Sequence, residues 1–220
     1  MPELLAALDV GTTTVTACVF TPGGDLIGRA GAAVKTQSAH PGQVEQHAEA
    51  IVGIARRMVR VALAKAGRKG EDLAALGITS QRTSLVVWDR RTGRALTPLI
   101  VWSDLRGAAR AAQLREAGFP VAPQQAAAKL EQALAGVDES CDLAWGNIDS
   151  YLIFKLSGGA AHVTDRSQAW PLGYLDLASL GWNAALMELQ GLDQAMFPRL
   201  VDTWGVMAAT TPRAFGAAVP

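Results

Sequence analysis

One stretch near the N-terminus constrains the fold more than any other: Leu4–Phe20, LLAALDVGTTTVTACVF. An apolar strand leads to Asp9 and Gly11, three threonines follow, and the residues to Phe20 alternate as a second strand does. A strand that ends at Asp9 exposes a carboxylate able to hold a hydrated Mg²⁺. Gly11 allows a tight turn and close approach to the backbone. Thr12, Thr13 and Thr14 add hydroxyls and amide N–H groups, the donors that a phosphate takes. An ordinary hairpin with a Gly/Thr-rich turn accounts for the same residues equally well. Taken alone, the stretch leaves both readings open.

The rest of the chain narrows the choice. Pro22–Asp25, PGGD, is a turn, and Leu26–Val34 runs back as a third strand. Lys35–Gln46 lacks periodicity, contains Pro41-Gly42 and reads as a surface loop. Ala48–Ala66 is the clearest helix, with Ile51, Ile54, Ala55, Met58 and Ala62 on one stripe, Arg56, Arg57 and Arg60 off it, and Gly67 as its stop. Short strands are predicted at Leu76–Thr79, Ser84–Trp88 and Leu99–Val101, with Asp89–Gly93 as a turn carrying solvated arginines. Leu105–Ala117, Ala126–Leu134 and Ala184–Leu189 read as helices, as does the segment with Ile148, Leu152, Ile153 and Leu156 on one face, closed by Gly158-Gly159. From about Ala208 the pattern fades.

Composition excludes several classes. With 220 residues, 20 basic against 20 acidic side chains and 18% charged residues, nothing suggests nucleic acid as a partner. No apolar run approaches the roughly 18 residues that a transmembrane helix needs, so no membrane partner is expected. Two cysteines, Cys18 and Cys141, make no disulfide framework and fit a reducing, cytoplasmic setting. His40, His47 and His162 lack second ligands at metal spacing.

Three ordered blocks carry a family resemblance. The first is Leu4–Phe20; the second is Gly77–Arg106, GITSQRTSLVVWDRRTGRALTPLIVWSDLR; the third is Trp145–Trp170, WGNIDSYLIFKLSGGAAHVTDRSQAW. Together they resemble the N-terminal domain of the FGGY carbohydrate kinases, the glycerol kinase and xylulokinase family. The resemblance implies an α/β fold: a ribonuclease H-like domain of the actin/hexokinase/Hsp70 ATPase superfamily, a mixed sheet flanked by helices. It covers Leu4–Val206, which makes 1–206 the family's domain I, 207–220 an interdomain segment or cut end, and the C-terminal domain absent.

The resemblance also implies chemistry. Asp9 would organise Mg²⁺ and phosphate, and Gly11, Thr12, Thr13 and Thr14 would grip ATP. Gln81, Arg82 and Trp102 would line the pocket for a small polyhydroxylated substrate, a sugar or polyol. Asp104 would either bind that sugar or hold its loop through a salt bridge with Arg106. Lys129 matches a lysine common in the family's second helix, with a structural role. Asp149 and Asp165 are read as a residue near a helix start and a cap or loop clamp, not as a catalytic pair. The catalytic base belongs to the family's C-terminal domain, the partner of this one, so the 220 residues alone are expected to be inactive. A homo-oligomer is compatible with all of this.

Departures from the family pattern bear on specificity. Thr83 stands where glycerol kinases have a glutamate and xylulokinases a histidine, and Gln124 stands where glycerol kinases have a tyrosine. The sequence therefore fits neither pattern, and the expected acceptor is larger than glycerol. The alternative is a noncatalytic binding or regulatory module derived from such a kinase.

Overall fold

The computed structural model describes residues 2–220. Strands β1 (Leu4–Val10), β2 (Thr14–Phe20) and β3 (Leu26–Ala33) form the antiparallel meander that the turn signals predict. Two short strands, β4 (Thr36–Gln37) and β5 (Glu45–Gln46), lead to helix α1 (Ala48–Lys65). Strand β6 (Leu73–Ser80) then returns parallel to β1, and a parallel return needs a crossover, which α1 supplies. The result is a mixed four-stranded sheet in the order β3-β2-β1-β6.

Alternation decides which face of that sheet is covered. Leu4, Ala6, Leu8 and Val10 of β1 and Val15, Ala17 and Val19 of β2 are buried, while Leu5, Ala7 and Asp9 point to the exposed side. Helix α1 lays Ile51, Val52, Ala55, Met58, Val59, Ala62 and Leu63 on this sheet core. Full burial of each larger aliphatic among them is worth about 1.5–3 kcal/mol. The helix starts where His47 Nδ1 accepts from Ala50 N–H and stops where Gly67, at φ 64°, turns the chain. Contact between helix and sheet is close: a Cβ on Gly28 of β3 would lie 2.2 Å from Ala62 O.

A second core lies beside the first. Strand β7 (Val86–Asp89) is followed by β8 (Leu99–Ile100), which pairs with β5, and by helices α2 (Ala108–Glu116) and α3 (Leu130–Leu134). Strand β9 (Leu143–Gly146) pairs with β7. Leu85, Val87, Leu114, Leu130, Trp145, Tyr174 and Phe197 bury one another there. Helix α4 (Ile148–Leu156) bridges the cores, with every side chain buried except Lys155, which is half-buried. Strand β10 (Val163–Asp165), helices α5 (Arg166–Ala169) and α6 (Ala184–Leu189), strand β11 (Arg199–Val201) and helix α7 (Pro212–Phe215) complete the chain.

Several sequence expectations change. Lys35–Gln46 contains β4 and β5, which pair with each other, and Gln46 is only 2% exposed. Strands of two residues are too short to show a period. Helix α2 starts at Ala108, not at Leu105, because Asp104 pins Trp102–Arg106 in a turn. The helix expected over Ala126–Leu134 is broken at Lys129, whose φ of −121° leaves helical geometry between a 3₁₀ turn and α3. Arg90 is not solvated: it donates to Leu143 O at 3.2 Å and to Ala195 O at 2.6 Å. The tail after Ala208 folds back. Phe215 and Val219 enter the first core, and Arg60 of α1 donates to Ala214 O at 2.9 Å and Arg213 O at 2.7 Å.

Candidate functional site

The two parallel strands β1 and β6 set the place of the site. Asp9 stands level with Thr79, and Val10 with Ser80, so both strands end at the same edge of the sheet. The carboxyl ends of parallel strands are where such sheets bind ligands. The Asp9–Thr14 turn and the Gln81–Thr83 loop leave the sheet there side by side, joined by Gln81 N–H donating to Val10 O at 2.8 Å.

Within the turn, Gly11 N–H donates to Thr14 O at 2.9 Å. The φ of Gly11 lies outside the left-handed region, so the glycine is favoured by room and not by handedness: a Cβ would sit 3.1 Å from Thr14 O, a tight contact. Asp9 is exposed and forms no ion pair among the described residues. No group of three or more His, Cys, Asp or Glu able to hold a metal occurs among those residues. A lone exposed carboxylate suits a Mg²⁺ that keeps its waters and takes its other ligands from phosphates.

The hydroxyl of Thr12 is not a free donor. It donates to Gln81 Oε1 at 3.1 Å and accepts from the Trp102 indole N–H at 3.1 Å. Of the three threonine hydroxyls in the turn, that of Thr12 is thus engaged by protein. Thr13 and Thr14 are exposed, and no protein hydrogen bond engages their hydroxyls among the described residues. Trp102 is 46% exposed, so its ring offers a face to a ligand while its nitrogen is anchored.

Arg82 is exposed, and none of its guanidinium N–H groups is bound to protein among the described residues. Thr83 has φ 60°, rare for a β-branched residue, and its hydroxyl donates to Arg82 O at 2.7 Å. A buried anchor holds the start of the loop. Gln81 is held from below by the side chain of Asn147, whose amide donates to Gln81 O at 3.0 Å and to Gln168 Oε1 at 3.0 Å. Gln124 is exposed.

Asp104 belongs to the interior. Its side chain is fully buried, accepting from Val44 N–H at 2.7 Å and from the Arg106 backbone, Nε and Nη2 at 3.0, 2.9 and 2.8 Å. Burial pushes this carboxyl up, but the Arg106 hydrogen bonds and the Val44 N–H outweigh it and hold it below the usual range. Of the two roles left open by the sequence, this geometry matches the one that holds the loop. Arg106 in turn reaches Glu45 Oε1 at 2.5 Å.

Beneath the loop, the fully buried Lys129 donates to Val101 O at 3.2 Å. Burial lowers its ammonium to about 8, against which the nearby Asp104 works. Asp165 caps α5 by accepting from Ser167 and Gln168 N–H, and Asp149, buried beside Thr164, is pushed up to about 6 by burial. The two aspartates therefore serve separate local roles. Sequence reasoning missed Gln46 and Asn147. Gln46 fell at the end of the stretch read as a surface loop, and Asn147 lay within the third block with no role assigned.

Comparisons with known proteins give the family. The family model described as "FGGY family of carbohydrate kinases, N-terminal domain" matches residues 4–219. The chain is 38% identical over 232 residues to a glycerol kinase of Aromatoleum aromaticum, covering 98% of this chain and 47% of that protein. A glycerol kinase of Methylobacterium nodulans is 33% identical over 236 residues, covering 100% of this chain and 47% of its own length. Among solved structures, Plasmodium falciparum glycerol kinase with ADP superposes with a TM-score of 0.88 at 17% identity, over 99% of this chain and 47% of that one. The xylulose kinase of Rhodospirillum rubrum gives 0.85 at 26% identity, over 96% and 45%. The chain spans about half the length of the curated relatives it matches.

Proposed function

Because this chain belongs to the FGGY family of carbohydrate kinases, as its N-terminal domain, we propose that the full-length protein transfers the γ-phosphoryl group of ATP to a hydroxyl of a sugar or polyol. The observation that carries this reading is the junction of the Asp9–Thr14 turn with the Gln81–Thr83 loop through Thr12, Gln81 and Trp102. A phosphate-type turn and a polyol-type loop share one edge of the sheet, as in-line transfer between two bound substrates demands. Asp9 would hold a hydrated Mg²⁺, which supplies charge neutralisation for the phosphates. The unengaged hydroxyls of Thr13 and Thr14 would meet phosphate oxygens. Arg82 would give its fork of donors to vicinal hydroxyls, and the exposed face of Trp102 would cover the carbon skeleton.

The acceptor we favour is larger than glycerol. Thr83 turns its hydroxyl back to the main chain and Gln124 replaces an aromatic wall, so two contacts of the glycerol kinase pattern are lost while Arg82 and Trp102 stay. The two sequence relatives named above are glycerol kinases and one of the solved structures is a xylulose kinase, which makes glycerol the reference compound against which a larger acceptor is judged. The base that accepts the hydroxyl proton would come from the C-terminal partner domain, and two free cysteines suit a cytoplasmic enzyme. The test is ATP-dependent phosphorylation by the full-length protein across glycerol, pentitols, pentuloses and hexoses. A clear preference for glycerol overturns the acceptor assignment. No turnover with any of them overturns the kinase reading. The 220 residues alone should show none.

A further inference from the structure

The ring of hydrogen bonds behind Thr12 includes a residue that neither the nucleotide turn nor the acceptor loop contains. Gln46, on β5, donates from Nε2 to Thr12 O at 2.6 Å and to Thr36 Oγ1 at 3.0 Å. Its Oε1 accepts from Gln81 Nε2 at 2.9 Å. Gln81 Oε1 accepts from the Thr12 hydroxyl, and that hydroxyl accepts from the Trp102 indole. The donors therefore run one way, from Trp102 through Thr12, Gln81 and Gln46 and back to the Thr12 carbonyl. The indole has no acceptor and the carbonyl no donor, so both ends fix the orientation of every amide between them. Gln46 and Gln81 are 2% and 8% exposed, and a buried polar network left half-satisfied is costly.

The short segment that carries Gln46 also holds the acceptor side. Leu105 N–H donates to Gly42 O at 2.8 Å, Val101 N–H to Val44 O at 2.9 Å, and Val44 N–H to Asp104 at 2.7 Å. Glu45 takes Arg106, and β5 pairs with β8, the strand that leads to Trp102. One segment thus grips the Trp102–Arg106 loop by backbone and charge, and the phosphate turn by the Gln46 side chain.

We propose that Gln46 is a positioning residue that keeps the phosphate turn and the acceptor loop in register, so that the two substrates meet at a fixed separation. It touches neither substrate and acts through Thr12 and Gln81. The proposal rests on the kinase reading for its kinetic arm but not for its spectroscopic one.

Two variants of the full-length protein test it. Gln46→Leu removes both donor and acceptor. Gln46→Glu keeps the shape and, when ionised, cannot donate to Thr12 O. Both variants should melt below wild type, and at a temperature where they remain folded the KM values for Mg·ATP and for the acceptor should both rise about tenfold, the loss of one or two buried hydrogen bonds. The Glu variant should recover as pH falls, because a protonated carboxyl donates to Thr12 O again; the Leu variant should not. Independently of turnover, the Trp102 indole N–H resonance, assigned in isotope-labelled protein by its loss in Trp102→Phe, should shift in the nucleotide-free Leu variant. Unchanged KM values for both substrates, or an indole resonance at its wild-type position, overturn the proposal. If wild type phosphorylates nothing, the kinase reading fails, and the resonance still decides the role of Gln46.

Discussion

Replacing Asp104 by alanine distinguishes a loop held from inside from a loop that binds sugar. In wild type the carboxylate accepts four hydrogen bonds, three of them from Arg106, and its side chain is fully buried. Its removal strands a guanidinium that is itself only 13% exposed and frees the Val44 N–H. Breaking a buried pair by deleting one partner costs about 3–5 kcal/mol. Arg106 keeps Glu45, so the lower end, about 3 kcal/mol, applies here. For a domain of this size that is a fall in Tm of about 6–12 °C. Removing both charges together, Asp104→Leu with Arg106→Met, should recover most of the loss, because apolar replacement of a buried pair is often neutral. The sign with pH also follows. The folded carboxyl is held below its ordinary 3.8, so its contribution is complete above that value and is lost as pH falls through the folded pKa. The gap between wild type and Asp104→Asn should therefore close in acid. The assay is thermal unfolding at a series of pH values, with acceptor KM on the same samples. An unchanged Tm with a selectively raised acceptor KM would refute the reasoning and make Asp104 a sugar contact.

Asp9→Asn should leave Tm unchanged, since the side chain is exposed and unpaired among the described residues, yet weaken Mg·ATP use in full-length kinetics by tenfold or more on the order of one lost metal–carboxylate contact. Thr12→Ala should cost about 1 kcal/mol in unfolding experiments and raise both KM values, because its hydroxyl joins Gln81 to Trp102; an effect on nucleotide alone would return that hydroxyl to the phosphates. Asp149→Asn should stabilise the chain above pH 6. Burial raises the folded carboxyl from 3.8 to about 6, so ionisation penalises the native state fully above that value, by about 3 kcal/mol at most, and not at all below 3.8. Unfolding curves at pH 8 and pH 3.5 check this, and an equal effect at both would refute it.

What was legible in the sequence was what local pattern and turn chemistry encode. The β1–β2 hairpin, the stripe of α1 and the cap at Asp165 each depend on residues close together in the chain. Asp9, Gln81, Arg82 and Trp102 were candidates because motif blocks marked them, and the fold brings the turn and loops that carry them together. The direction of the Thr12 hydroxyl was not legible, because its partners come from two other loops. Gln46 meets Thr12 across 34 positions and Asn147 meets Gln81 across 66. A neutral amide has no pattern of its own, and only the folded register of β5 and β6 reveals its donors and acceptors. Lys129 was read as structural, but its contact with the Val101 carbonyl spans 28 positions and the break in its helix has no local signal.

The return of the tail onto α1 has a consequence for synthesis. Arg60 binds carbonyls 153 and 154 positions further along, and Phe215 and Val219 close the core that β1 and α1 begin. Even Gly70 is shaped for that late arrival, since a Cβ there would lie 1.9 Å from Phe215 O. The meander and first helix leave the ribosome early, yet the core they begin is complete only once residues 214–219 have followed. Loop closure over so long a span is slow, and exposed apolar surface in the interval invites association. Nascent chains halted before Pro212 should therefore depend on chaperones in a way that chains carried past Val219 do not.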